Sequence, residues 1–450
     1  MQVSELFSNI ISSRDTGTPQ GLVSVCSAHP VVIRAAIEQA IEDDRPVLIE
    51  ATANQVNQHG GYTAMEPGRF RSFVEGEARA MGFPLDRLLL GGDHLGPYPW
   101  RGLTADAAMT EARKLVEAYS RAGYRKLHLD ASMALGGDSV DASGALAAHV
   151  AAEREAMLAA AAESVWVDAD RPVYVIGTEV PSPGGMTGGE DTVQVTRPEE
   201  LEQTVELCRS AFHARGLADA WNRVRAVVVQ PGLEFGDYCV HAYCRENAAA
   251  LVSAATEFDD IVLEGHSTDY QSTAHLRELV EDGVAILKVG PALTFALREC
   301  LIGLERIEAE LDQYGMLGGS ASPSTLAETL EKAMISDPRH WQGHYTGQAL
   351  VEQRLCRLYS LSDRIRYYWK APGVETAVNR LLANLESTDI PPGLYSQFAG
   401  VPFFSLRDRG LPVTPSALIV ESVRCVLRGY SSAMHHRAYT AGIGAMIDHL

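Results

Sequence analysis

The chain carries 450 residues, a length that suits one large barrel with an extension or roughly three smaller domains. Hydrophobic residues make up 46% and charged residues 21%, a globular balance that excludes a disordered, collagenous or coiled-coil chain. With 38 Lys and Arg against 58 Asp and Glu the net charge is −20, which repels nucleic acid and anionic lipid, so any phosphorylated ligand must be caught locally by backbone amides and a few cations.

The first residues hold a short apolar run with no cationic segment before it, and Arg14 follows the run, so no secretory signal is expected. No apolar stretch approaches the ~20 residues that span a bilayer, and cytoplasm is the expected compartment. The cysteines are scattered and never spaced as CxxC, which argues against a disulfide framework or a structural zinc site. Short apolar runs then read as strands at 22–27, 47–51, 88–92, 126–130, 173–178, 226–230, 261–264 and 285–289. Amphipathic patterns at 30–42, 67–81, 104–122 and 197–214 read as helices, with Pro30 and Pro67 suited to a first turn. Eight such units predict a (β/α)8 TIM barrel over residues 1–314, with an open doubly wound sheet as the competing architecture. After a Gly/Ser-rich linker the segment 323–450 reads as a helical C-terminal extension. There Thr325 and Glu328 resemble a capping box, Thr414 an N-cap before Pro415, and Gly429 a helix end. The aromatic and basic cluster at 363–369 is either a packing seam or a strap that reaches over the barrel mouth to ligand phosphate.

Polar residues gather where the strands end, on the rim that carries chemistry in this fold. Glu50, Asn54 and Gln55 follow the second strand, Asp93 and His94 the third, His128, Asp130 and Ser132 the fourth, and Glu179 the fifth. Glu234 follows the sixth, Glu264, His266 and Ser267 the seventh, and Lys288 and Gly290 the eighth. Asp93 and His94 lie between glycines, which let a backbone turn tightly and approach a ligand, while the pair itself offers a proton donor and a metal ligand. Together with Glu179, Glu234 and His266 they outline a mixed imidazole and carboxylate site for Zn2+ or Mn2+. Glu264 shares strand parity with His266 and competes with it as ligand. Histidines that only hydrogen-bond to neighbouring loops are the plainer alternative. The loops at Ser267 and Gly290, with Lys288, suit a phosphate, although neither is a P-loop and no GxGxxG follows the first strand.

Through Cys26-Ser-Ala-His-Pro30, Gly91-Gly-Asp-His-Leu-Gly-Pro97, His128-Leu-Asp-Ala-Ser132, His266-Ser-Thr-Asp-Tyr-Gln271 and the run from Leu287 to Arg298, the chain resembles the tagatose-bisphosphate aldolase Z-type subunit family (GatZ/KbaZ-like). The likeness covers nearly the whole sequence, and the family includes tagatose 6-phosphate 4-epimerases. It implies a barrel of the class II aldolase type and a divalent metal, Zn2+ before Mn2+. In the related zinc aldolases a His-x-Asp-His motif supplies a catalytic Asp and a zinc-binding His; here the first His is replaced by Gly91, and Asp93 and His94 remain. The resemblance places the further metal ligands near Glu234 and near Glu264 or His266; for metal-assisted retro-aldol chemistry, Asp93 is assigned as proton shuttle at the C4 oxygen, Glu179 as second acid/base, and His94, Glu234 and His266 as metal ligands. Glu50, Asn54, Gln55, Asp130, Ser132, Ser267, Lys288 and Gly290 are then the expected substrate contacts.

The expected activity is epimerisation of tagatose 6-phosphate to fructose 6-phosphate in galactitol or tagatose catabolism, by metal-assisted retro-aldol and aldol steps. The alternative is a non-catalytic Z-type subunit that supports a separate catalytic Y-type chain. Expected partners are a phosphorylated ketohexose, a Y-type aldolase subunit and further copies of the chain, with no nucleic acid and no membrane.

Overall fold

Successive side chains of a strand point to opposite faces, so each strand of a closed barrel feeds an inner core and an outer one. The computed structural model describes residues 2–141, 144–178, 193–317 and 322–434. Its eight barrel strands are β1 (Leu22–Cys26), β2 (Val47–Thr52), β3 (Leu88–Leu95), β4 (Lys126–Leu129), β5 (Val173–Ile176), β6 (Val224–Val229), β7 (Val262–Gly265) and β8 (Val284–Val289). All pair in parallel in chain order, and β8 closes on β1, so the open-sheet competitor is excluded. A two-stranded hairpin, Glu234–Phe235 with Val240–His241, is inserted after β6.

The inner face is graded along the barrel axis. Leu22, Leu48, Leu89, Val173, Val175, Val228 and Ile286 fill its lower part, and Val3, Phe7 and Ile10 of the N-terminal helix Val3–Ser13 plug the bottom. Two residues further along several of the same strands the inward positions turn polar: Ser24, Glu50, Lys126, Glu264 and Lys288 are all buried. The outer faces pack on the surrounding helices, which begin at Pro30 and Pro67 as expected, each proline in the first turn where its missing N–H costs nothing.

The extension consists of helices Leu326–Ser336, Leu350–Tyr359, Val374–Glu386, Pro392–Asp408 and Pro415–Met434. Its last helix returns to the barrel and packs on helices Pro30–Asp43, Thr273–Glu281 and Pro291–Gln313, and one continuous hydrophobic core runs through both parts. Thr414 caps that helix through the Ala417 amide (3.1 Å), as read from the sequence. Two expectations are corrected. Thr325 makes no side-chain cap; it sits at φ +50°, and the carboxylate of Glu305 takes the Ala327 amide in its place. Gly429 does not end the last helix, which runs on to Met434; a Cβ there would lie 3.2 Å from the Thr273 hydroxyl, so its small size serves close packing. No helix among the described residues is long and apolar enough to cross a membrane.

Gly303 marks a close contact between barrel and extension: a Cβ on it would fall 2.1 Å from the carbonyl oxygen of Phe398. Gly303→Ala is expected to force the two helices apart and destabilise the fold by roughly 1–3 kcal/mol. Thermal denaturation of the variant checks this, and an unchanged midpoint would show that the helices separate without cost.

Candidate functional site

The polar layer inside the barrel is an ion network. Lys126 Nζ lies 2.7 Å from both Glu50 Oε1 and Glu264 Oε2. Lys288 Nζ reaches Glu50 Oε2 at 3.0 Å, Glu264 Oε1 at 3.3 Å and, closer still, Asp93 Oδ1. Ser24 donates to Glu50 Oε2 (2.6 Å). Burial opposes the charge on Lys288, yet Asp93, Glu264 and Glu50 hold its ammonium well above the usual range. Burial likewise opposes ionisation of Glu264, and Lys126 and Lys288 keep it well below. Gly91 makes this layer possible, because a Cβ there would meet Glu50 Oε1 at 2.3 Å.

Above it sit Asp93 and His94. In an unbroken strand these neighbours would face opposite ways. The β3–β4 register advances by one extra residue between Gly92, paired with Leu127, and Leu95, paired with Leu129. His94 takes φ +47° at that bulge, which turns both side chains into the mouth. Gly96 allows β3 to close on β4, since a Cβ there would overlap the Asp130 carbonyl. The glycines around the pair therefore make room for the protein's own Glu50 and Asp130, where the sequence suggested approach to a ligand.

Three imidazoles meet at this level. The ring centres of His94, His128 and His266 are 4.9–5.1 Å apart, and each ring is held by a carboxylate. His94 Nδ1 pairs with Asp130 Oδ2 (2.7 Å), His128 Nδ1 with Asp93 Oδ1 (2.9 Å) and His266 Nε2 with Glu264 Oε1 (3.2 Å). Such carboxylate bonds orient histidines that bind metals. Donor atoms of Asp93, His94, His128 and His266 lie within 4.8 Å of one another, and buried His128 Nε2 has no hydrogen-bond partner. Burial and the Lys288 charge push His266 down to about 3, and burial lowers His128, so both rings are neutral and able to ligate. Burial opposes a proton on His94 but Asp93 and Asp130 favour it. The carboxylates Glu50, Asp93, Asp130 and Glu264 face Lys126 and Lys288, and Asp93 and Asp130 raise His94 above the usual imidazole value, so a cation that takes the His94 ring displaces its proton and meets two negative charges in excess. The donor set thus fits a divalent cation in both chemistry and charge.

Several sequence expectations change here. His128, given no role by the sequence, is the third imidazole of the cluster; its signal was the parity it shares with Lys126 in β4 and Asp130 just after it. Glu234 stands outside the imidazole cluster, because the hairpin after β6 carries it aside, where its carboxylate accepts the Phe235 amide (2.9 Å). Burial pushes Glu234 up to about 7. Of Glu264 and His266, the imidazole joins the cluster while the carboxylate is committed to lysines. Glu50 is fully buried in the ion network and does not line the mouth. Asp130 and Ser132 are positioning groups: Ser132 donates through N (3.1 Å) and Oγ (2.7 Å) to the carboxylate that holds His94. Glu179 falls outside the described residues.

Asn54, Gln55, Ser267, Lys288 and Gly290 do line the mouth, with Cys26, Tyr62, Asp93, His94, His266, Asp269, Arg366 and Tyr367. Burial keeps the Cys26 thiol well above its usual range, so it stays protonated. The phosphate cup expected at Gly290 is occupied by the protein itself. Asp269 Oδ1 accepts the amides of Gly290 (3.0 Å) and Ala292 (2.8 Å) at the start of helix Pro291–Gln313. Arg366 and Tyr367 belong to the 363–369 cluster, so the extension reaches the mouth. Asp363 ties it down through Thr294 (2.6 Å) and Arg298 (3.1 Å), and Tyr62 meets Tyr367 edge-on at 4.9 Å.

Residues 7–435 match the family model described as D-tagatose-1,6-bisphosphate aldolase subunit GatZ/KbaZ-like. A relative from Salmonella gallinarum named D-tagatose-1,6-bisphosphate aldolase subunit GatZ is 45% identical over 94% of this chain and 97% of its own. One of the same name from Escherichia coli O7:K1 is 46% identical over 94% and 98%. A crystal structure from Sinorhizobium meliloti 1021, described as a probable tagatose 6 phosphate kinase, is 45% identical, covers 92% of this chain and all of its own, and superposes with a TM-score of 0.83.

Removing one member of the ion network strands the others. Lys126→Ala leaves Glu50 and Glu264 short of a counter-charge in a site closed to water, and a loss of roughly 3–5 kcal/mol is expected. Chemical denaturation of the purified variant measures it; a loss below about 1 kcal/mol, the range of surface pairs, would show that solvent reaches the layer.

Proposed function

The chain belongs to the D-tagatose-1,6-bisphosphate aldolase subunit GatZ/KbaZ-like family, and from that premise we propose that it works as a Z-type subunit beside a separate catalytic aldolase chain, binding a divalent cation and a phosphorylated ketose at its own barrel mouth. The subunit role rests on the names carried by relatives that match 94% of the chain. The cation and ketose reading rests on one observation, three carboxylate-held imidazoles around the orphaned His128 Nε2.

His94, His128 and His266 would hold the cation, and when bound it would supply Lewis-acid polarisation of the ketose carbonyl and neighbouring hydroxyl oxygens. Asp93 has one oxygen shared by His128 and Lys288. Burial opposes its ionisation, but His94 and Lys288 keep it well below the usual carboxylate range, so at neutral pH it is a proton acceptor. Asn54, Gln55 and Ser267 offer hydrogen bonds to sugar hydroxyls from the rim.

Asp93 also favours a second reading, a tagatose 6-phosphate 4-epimerase, because a chain that only supports another has no need of an ionised carboxylate facing a ketose. The C4 hydrogen of a 2-ketose is not acidified by the carbonyl. Inversion there therefore proceeds by proton transfer from the C4 hydroxyl to Asp93, cleavage of C3–C4 and re-addition of the three-carbon fragment to the other face of the aldehyde, which takes the proton back from Asp93.

Two measurements test these readings. Elemental analysis is expected to find a divalent cation in the wild type and little in His128→Ala, with Glu234→Gln unchanged; full occupancy in His128→Ala would overturn the metal assignment. In the second, the chain is assayed alone with tagatose 6-phosphate and, with and without a Y-type aldolase chain, with tagatose 1,6-bisphosphate. Faster bisphosphate cleavage by the Y-type chain is expected. Fructose 6-phosphate formed by this chain alone would establish the epimerase, and Asp93→Asn would then cut that rate by ~10²–10⁴-fold without losing the activation. Neither activation nor turnover would overturn both readings.

A further inference from the structure

In barrels of this kind phosphate is commonly held on the loops after the last two strands. Here that position is taken: Asp269 Oδ1 fills the amides of Gly290 and Ala292 at the head of helix Pro291–Gln313. A phosphate dianion cannot share those amides with a carboxylate, and Lys288 is fully engaged below with Glu50, Asp93 and Glu264. With those amides and Lys288 engaged, the counter-charge for a phosphorylated ligand at this mouth is to be sought on another element.

The extension provides it. Arg366 lines the same mouth as His94 and His266, on the short turn Arg364–Tyr367. Its Nη1 donates to the carbonyls of Ser362 and Asp363 and its Nη2 to the Tyr367 hydroxyl (2.9 Å), all neutral acceptors. Nε and one Nη2 hydrogen have no acceptor among the described residues, and the guanidinium makes no ion pair there. The acids around it are committed: Asp363 to Arg298 and Thr294, Asp237 to the hydroxyls of Ser360 and Ser362, Asp269 to the helix amides. Among the described residues Arg364, on the same turn, bonds to the His340 carbonyl (3.2 Å) and His344 Nδ1 (2.9 Å) and to no carboxylate. In a chain of net charge −20, Arg366 at the mouth, with Arg364 buried on the same turn and neither in a salt bridge among the described residues, supplies positive charge where an anionic substrate would enter. The turn does not swing freely, because Asp363 anchors its base and Tyr367 packs edge-on against Tyr62.

We propose that Arg366 is the phosphate-recognition residue of this mouth, so that the C-terminal extension completes a sugar-phosphate site whose cation-binding end lies in the barrel. The inference rests on the ketose reading given above. It assigns the usual cup after β7 and β8 a structural role and gives the phosphate a side-on guanidinium fork, the geometry that suits phosphate oxygens. The ligand class is a phosphomonoester of a ketose with its carbonyl end toward the imidazoles and its phosphate toward the extension.

Isothermal titration of the full chain with tagatose 6-phosphate, tagatose and inorganic phosphate tests it. The wild type is expected to prefer the phosphorylated ketose. Arg366→Ala should weaken tagatose 6-phosphate roughly 10–100-fold and leave tagatose unchanged, with Arg366→Lys in between. Arg380→Ala, which removes a cation from an exposed position on the same extension, should match the wild type. Thermal melts show whether each variant is folded, and should Arg366→Ala fail to fold, Arg366→Lys and Arg366→Gln carry the comparison. An Arg366 variant that is folded and keeps the full phosphate preference would overturn the assignment, as would a wild type that binds both ketoses equally. If neither ketose binds but inorganic phosphate does so in an Arg366-dependent way, the subsite stands and the ketose reading falls. If phosphate does not bind either, both fall.

Discussion

Lys126 and Lys288 lie almost wholly buried inside the barrel between Glu50 and Glu264, with Asp93 drawing on the second lysine from above. Well-packed apolar residues would stabilise such a layer at least as well, since removing charges from water costs several kcal/mol per ion before their attraction returns it. What the ion layer adds is position. Glu264 orients His266, and Lys288 holds Asp93 ionised, which in turn orients His128. The imidazole cluster is thus built on the charged floor, and the apolar plug beneath keeps that floor dry.

The second constraint is the bulge in β3. A regular strand delivers one of two neighbouring residues to the barrel interior; one extra residue and a left-handed His94 deliver both. The strain of that conformation is balanced by packing that admits no larger residue at Gly91, Gly92 or Gly96. The same economy of space explains Asp269, which satisfies the amides of a helix start buried by the extension and so removes them from ligand binding.

The extension is therefore part of the site. Its last helix returns to pack on the barrel wall, its turn at Arg364–Tyr367 covers part of the mouth, and the two parts share one core. A family whose members are named as subunits would gain from this arrangement a surface that links whatever occupies the mouth to helices well outside the barrel.

Period-two and period-3.6 patterns, with prolines at helix starts, made the eight strands, the (β/α) order and the helical extension legible from the sequence, because those signals depend only on neighbours in the chain. The rim was legible for the same reason: strand ends carry the polar residues, and strand parity paired Glu264 with His266. What the chain order could not decide was which rim residues face each other. His128 became a third imidazole partner only because β3 and β4 are adjacent and Gly96 lets them close. Glu234 left the cluster because a hairpin carries it aside, and Glu50 sank from expected substrate contact to buried counter-charge because two lysines, one 76 and one 238 residues away, converge on it. Local pattern determines which residues are inward and at what height in a barrel, whereas contacts across the barrel axis, and the loops and extension that fold over its mouth, are set by closure of the sheet and are decided only in three dimensions.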